Sequence, residues 1–156
     1  MLLTRQNVPT LPAKQGSSRL ADAAQLAKGA YIIKDVANPD IILLANGSEV
    51  STQLAGALKL EAEKGLKVRV VSVPSEGLFR QQPTSYQLQV LPEGIPIFGL
   101  TAGLPVNLEG LAGSKGKVFG LDHFGFSAPF KVLDEKFGFT ADNVVNQVTA
   151  MLSGSE

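Results

Sequence analysis

The sequence contains no cysteine and a single histidine, His123. The first absence excludes a disulfide framework, a thiolate nucleophile and a thiolate metal site, and the second excludes any multi-histidine metal site. There is no surplus of charge either. Fourteen basic and fourteen acidic residues give a formal net charge of zero, so no general field draws the chain to nucleic acid or to an anionic membrane, although a local basic site is compatible with that balance. No apolar run approaches the roughly 20 residues that span a bilayer. Met1–Arg5 lacks the charged start and long apolar core of a secretion signal, and the chain reads as soluble and cytoplasmic. Internal repeats and low-complexity segments are also lacking. What is present is 44% hydrophobic content over 156 residues, enough for one compact domain with a core and too short for two full ones.

The chain is organised around residues 41–65. Ile41-Ile42-Leu43-Leu44 is a continuous apolar run, the pattern of a strand covered on both faces in a parallel sheet. Asn46-Gly47-Ser48-Glu49 supplies a turn in which Asn46 or Ser48 can cap a helix and Glu49 meets the positive end of its dipole. Val50, Leu54, Ala57, Leu58 and Ala62 then recur at helical spacing until Gly65 stops the helix.

Before this stretch, Met1–Thr4 resembles the end of a strand whose earlier part is absent. Residues 6–19 carry Pro9, Pro12 and Gly16 and read as an extended linker. Ala21–Lys28 suits a short helical turn, and Tyr31–Val36 a strand. The link from Val36 to Ile41 is too short for a helical crossover, so the first two strands are expected to be antiparallel neighbours if they pair.

After it, strands are expected over Lys67–Val73, Ile95–Leu100 and Lys117–Leu121. Helices are expected over Ser75–Gln82, Ser85–Leu91, Asn107–Ala112, Ala128–Phe137 (after Ser127, with Pro129 in its first turn) and Ala141–Leu152 after Thr140. Five strands alternating with helices imply a three-layer α/β/α sandwich around a five-stranded, mixed but mostly parallel sheet with the first strand antiparallel. That architecture hosts many unrelated activities.

Four features are candidate sites. The Gly47 turn opens a helix after a strand, a ready anion site. It has one glycine where a dinucleotide fingerprint needs three, lacks a phosphate-loop lysine, and places Glu49 where a phosphate would be repelled, so it reads as a tight turn and a cap. Asp122-His123 closes the fifth strand, where open α/β sheets bind ligands. Adjacency establishes no dyad and spacing implies no serine or cysteine nucleophile, so His123 reads as a surface or domain-interface histidine rather than a catalytic one. Phe119, Phe124, Phe126, Phe130, Phe137 and Phe139 read as core and interface packing, because too few charges surround them for a base-stacking groove. Arg5, with the donors Gln6 and Asn7 after it, can hold a phosphate through paired charge-assisted hydrogen bonds. Taken alone, it is an ordinary solvated charge.

Residues 3–11 (LTRQNVPTL) look like the segment that ends the middle domain of transketolases. The remainder of the chain is similar to their C-terminal domain in order and spacing: KGAYII at 28–33, GSEV at 47–50, VRVVSVP at 68–74, VLP at 90–92, DHFG at 122–125, SAP at 127–129, FGFT at 137–140 and DNVV at 142–145. The sequence departs from common members at Asn46, often threonine, and over Leu100–Gly113. The resemblance implies an enzyme that moves a two-carbon ketol unit between sugar phosphates with thiamine diphosphate and Mg²⁺, the cofactor lying between N-terminal and middle domains of a homodimer. Residues 1–19 would then be the end of the middle domain and the interdomain linker, and residues 20–156 the C-terminal α/β domain. Arg5 takes the position of the family's substrate-phosphate arginine. No catalytic, cofactor or metal residue is implied within this piece, which is expected to be inactive alone and to bind neither thiamine diphosphate nor NAD. The competing reading is a stand-alone α/β interaction or small-ligand-binding module with no catalysis.

Overall fold

The computed structural model describes residues 6–11 and 23–154. The expected strand end at Met1–Thr4, Arg5, residues 12–19 of the expected linker, and Ala21 and Asp22 of the expected helical turn lie outside the described residues. Gln6–Leu11 forms neither helix nor strand. A 3-10 turn over Gln25–Lys28 leads into β1 (Tyr31–Lys34) and β2 (Ile41–Ala45). The chain continues through α1 (Glu49–Lys64), β3 (Val68–Ser72), α2 (Glu76–Arg80), α3 (Thr84–Val90) and β4 (Ile97–Leu100). It ends with α4 (Val106–Ala112), β5 (Lys117–Phe119), α5 (Phe130–Phe137) and α6 (Ala141–Ser153).

The sheet order is β1-β3-β2-β4-β5. All neighbours are parallel except β1, which runs antiparallel to β3. β1 and β2 are therefore not the antiparallel neighbours expected from their short link, because β3 lies between them. The link needs only to cross two inter-strand spacings of roughly 4.8 Å. It is pinned beneath the start of β3 by Asp40 N–H donating to the Lys67 carbonyl (2.8 Å) and Lys67 N–H donating to the Asp40 carboxylate (2.7 Å).

Every residue of β2 is fully buried, as its unbroken apolar run requires, and alternation sends its side chains to two cores. Ile41 and Leu43 join Val68, Val70, Phe98 and Leu100 under α1 and α6. Ile42 and Leu44 join Val71 and Ile97 under Phe79 of α2, Val90 of α3 and Leu108 of α4. Burying each such side chain contributes about 1.5–3 kcal/mol, and the result is the three-layer sandwich.

The buried face of α1 is Val50, Gln53, Gly56, Ala57 and Leu60. Leu58 and Ala62, expected on it, point outward. Counting apolar residues alone misplaces the stripe, because a glutamine and a glycine belong to it. The glycine lets α6 approach: a Cβ on Gly56 would lie 2.6 Å from Val144 Cγ1. Helix α5 starts later than expected, at Phe130. Pro129, in extended backbone (φ −55°, ψ 141°), precedes it with no side-chain cap from Ser127 or any other described residue. Thr140 does cap α6, accepting from Asn143 N–H at 3.2 Å.

Candidate functional site

The chain leaves β2 for β3 on one side, and later crosses to β4 on the other, so the topological switch point lies between the C-terminal ends of β2 and β4. Helix α1 starts there, after Gly47, whose φ of +60° gives the tight turn. Neither Asn46 nor Ser48 caps the helix. The Ser48 hydroxyl instead donates to Glu49 Oε1 at 2.7 Å, and the Glu49 side chain is buried in the first turn, where the helix dipole favours a negative charge. One turn on, fully buried Gln53 donates through Nε2 to the carbonyls of Leu44 (3.0 Å) and Phe98 (3.3 Å), bridging β2 and β4. Its Oε1 has no hydrogen-bond partner among the described residues.

The exit from β4 is equally closed. Thr101 is buried, its N–H donates to the Phe119 carbonyl at 3.0 Å, and its Oγ1 accepts from Gly103 N–H at 3.1 Å. The switch-point crevice is thus filled by its own glutamine and flanked by a carboxylate. A carboxylate at the helix N-terminus repels a diphosphate, so this set does not fit one. Among the described residues, moreover, no group of three His, Asp or Glu could hold a metal ion.

Asp122 and His123, at the end of β5, are exposed. His123 is engaged by phenylalanines rather than by its neighbour. Its Nδ1 lies 2.8 Å from the Phe124 carbonyl oxygen, and its ring centroid is 5.3 Å from that of Phe137 and 6.4 Å from that of Phe126. Phe126 in turn stacks on Phe137 (5.7 Å, 27°), and the Lys136 ammonium sits 4.3 Å from its ring centroid. On α5, burial pushes the Asp134 carboxyl above its ordinary range.

The six phenylalanines read together from sequence separate in space. Phe139 is buried and packs edge-on against Phe119 at 5.7 Å, whereas Phe124, Phe126 and Phe130 are exposed. The structure brings His123, Phe126 and Phe137 together. Gln53, the polar centre of the switch point, had no motif to betray it. The only signal was a glutamine inside an otherwise apolar helical face.

The family model described as "Transketolase-like TK C-terminal domain" matches residues 29–140. The chain is 41% identical to a transketolase of Aquifex aeolicus over 150 residues, which is 95% of this chain and 21% of that protein. It is 39% identical to transketolase 1 of Escherichia coli over 154 residues, 97% of this chain and 22% of that protein. Among solved structures, a Pichia stipitis transketolase in complex with xylulose 5-phosphate superposes with a TM-score of 0.80 at 34% identity, over 96% of this chain and 20% of that one. A split-gene transketolase, described as an inactive β4 tetramer, shares the fold with a TM-score of 0.68 at 19% identity. The chain spans about one fifth of the length of the curated relatives it matches.

Proposed function

This chain belongs to the transketolase family, in which it is the C-terminal domain, and from that premise we propose that it serves a cytoplasmic, homodimeric enzyme transferring a two-carbon ketol unit between sugar phosphates. The observation that carries the reading is continuous similarity to transketolases along nearly the whole chain. In the proposal, residues 1–19 end the middle domain and form the linker, and residues 20–156 support contacts with the other domains and the second subunit.

Thiamine diphosphate and Mg²⁺, which supply the carbanion chemistry of such an enzyme, belong to the domains outside this chain. The described residues do not fit a diphosphate, because the buried Glu49 carboxylate occupies the α1 N-terminus at the switch point. The chain's own contribution to substrate is Arg5. Its guanidinium holds the substrate phosphate through paired hydrogen bonds, so that binding energy remote from the reacting carbonyl orients it.

The test is a chimera in which the C-terminal fifth of Escherichia coli transketolase 1 is replaced by this chain. Ketol transfer by the chimera supports the reading, and a folded but inactive chimera refutes it. Within the active chimera, Arg5→Ala is expected to raise KM for phosphorylated acceptors by roughly ten- to a hundredfold, about 1.4–2.7 kcal/mol of charge-assisted binding, with little change for unphosphorylated ones. Equal loss for both classes of acceptor removes the phosphate role.

A further inference from the structure

The joint between β2 and α1 holds the chain's only asparagine–glycine pair, Asn46-Gly47, and its surroundings leave both members free to react. Asn46 is partly exposed, and its side-chain amide, which does not cap α1, has no hydrogen-bond partner among the described residues. On either side of the pair the backbone is engaged: the Ala45 carbonyl accepts from Val73 N–H at 2.8 Å, and the Gly47 carbonyl accepts from Val50 N–H at 3.5 Å. The Gly47 N–H between them donates to no described residue. Gly47 has a φ of +60°, and a Cβ built on it would meet nothing nearer than Glu49 Oε2 at 3.8 Å. An amide carbonyl carbon tethered beside an unengaged backbone nitrogen is an intramolecular electrophile and nucleophile, and a following residue without a Cβ leaves the approach open.

We propose that Asn46-Gly47 is a site of spontaneous covalent modification, at which the asparagine becomes aspartate or isoaspartate and the anchorage of α1 is loosened. Gly47 N gives its proton to hydroxide and attacks Asn46 Cγ. The N–Cγ bond forms, the Cγ–Nδ2 bond breaks, and ammonia leaves carrying a proton in place of the one the nitrogen gave up. The succinimide so formed adds one water. Opening at Cγ gives aspartate in an ordinary backbone, and opening at the main-chain carbonyl carbon gives isoaspartate, whose backbone runs through the side-chain methylene. Nothing is oxidised or reduced.

Both products disturb this position. A new carboxylate joins buried Glu49 at the same end of α1, and like charges there repel. Isoaspartate lengthens the connection between the end of β2 and the helix whose Gln53 bridges β2 and β4, and a close-packed interior does not absorb an extra methylene freely.

Four other asparagines are internal controls. Asn38 precedes Pro39, whose nitrogen carries no hydrogen. Asn107, Asn143 and Asn146 lie within α4 and α6, where the next nitrogen is held in the helix; Leu108 N–H donates to the Pro105 carbonyl at 2.9 Å and Val144 N–H to the Thr140 carbonyl at 3.1 Å.

The folded chain, incubated in heavy-oxygen water and mapped by peptide mass spectrometry, tests the proposal. Asn46 is expected to take up label at least roughly tenfold faster than any of the four controls, and faster as pH rises. Uptake at Asn46 no faster than at the helical asparagines overturns the site. Uptake confined to urea concentrations that unfold the chain also overturns it. The isoaspartyl form, separated by ion exchange, is expected to unfold at a lower urea concentration than the unmodified chain, and an equal midpoint overturns the effect on α1. Gly47→Ala is expected to slow the conversion about tenfold or more. Because an alanine at that φ is itself strained, Asn46→Ser gives a second comparison: with no amide to lose, its aged and fresh samples are expected to unfold alike. An equal loss of stability on ageing in Asn46→Ser assigns the change to another residue and overturns the proposal.

Discussion

Gln53 places a primary amide where the fold otherwise uses aliphatic side chains. Its Nε2 adds hydrogen bonds to two strand carbonyls, and its Oε1 has no partner among the described residues, so its gain and its desolvation penalty nearly cancel, at about 1 kcal/mol each way. Gln53→Met, of similar length and shape, is therefore expected to unfold in urea within about 1 kcal/mol of the parent. Gln53→Glu buries a charge beside two carbonyls and is expected to lose about 3 kcal/mol or more. Asp134 gives a pH-dependent case. Burial raises its folded-state pKa above the ordinary 3.8, so the folded chain holds the proton more tightly than the unfolded one, and stability is lost as pH rises through the raised value. The melting temperature of Asp134→Asn should match the parent near pH 3 and exceed it increasingly above about pH 4; a constant offset across that range rules the mechanism out. Single residues were legible in the sequence where one local rule governs them, as with the Thr140 cap or Glu49 in the first helical turn. Gln53 was not, because its role depends on the carbonyls of β2 and β4, 9 and 45 positions away. The proposed phosphate role of Arg5 is legible only through resemblance to a family, since nothing in its own neighbourhood distinguishes it from a solvated charge.

Helix α1 contacts α6 through a notch. Gly56 leaves room for the Val144 side chain, with which a Cβ would overlap at 2.6 and 2.9 Å. Gly56→Ala should gain about 1 kcal/mol of helix propensity and lose more from overpacking, for a net destabilisation of about 1–2 kcal/mol. Pairing it with Val144→Ala should recover part of that loss, so that a double-mutant cycle by denaturant unfolding shows clear non-additivity. Simple addition of the two losses would show that the helices shift instead. The five strands of the sheet were read nearly in extent because each is a compact apolar run bounded by turn residues. The neighbour of β1 was misread because loop length limits what can pair and does not choose among distant partners. The start of α5 was misread because proline is as much at home just before a helix as in its first turn. The outer part of α1 was misassigned because apolar residues also occur on wet faces.

The described residues form two cores and a switch point closed by its own side chains, which suits the supporting role proposed above. Prepared alone, the chain is expected to unfold cooperatively, to transfer no ketol unit, and to show no calorimetric binding of thiamine diphosphate or NAD at millimolar ligand. Binding of either would mean that the crevice opens in solution. The aromatic cluster was half legible. Its phenylalanines stood out in the sequence, but which were buried and which faced outward is decided by tertiary packing such as Phe119 of β5 against Phe139 before α6, and no periodicity crosses that loop. The placement of β1 has one more consequence, in the order of synthesis. Tyr31 pairs with Ser72 and Ile32 with Val71, so the first strand of the sheet to leave the ribosome waits for a partner made about forty residues later. At roughly 5–20 residues per second, that is a delay of seconds. During it, Ile32 and Ile33 of the nascent chain are exposed to chaperones and to neighbouring polypeptides, and the first strand translated takes its place at the sheet's edge only once the third exists.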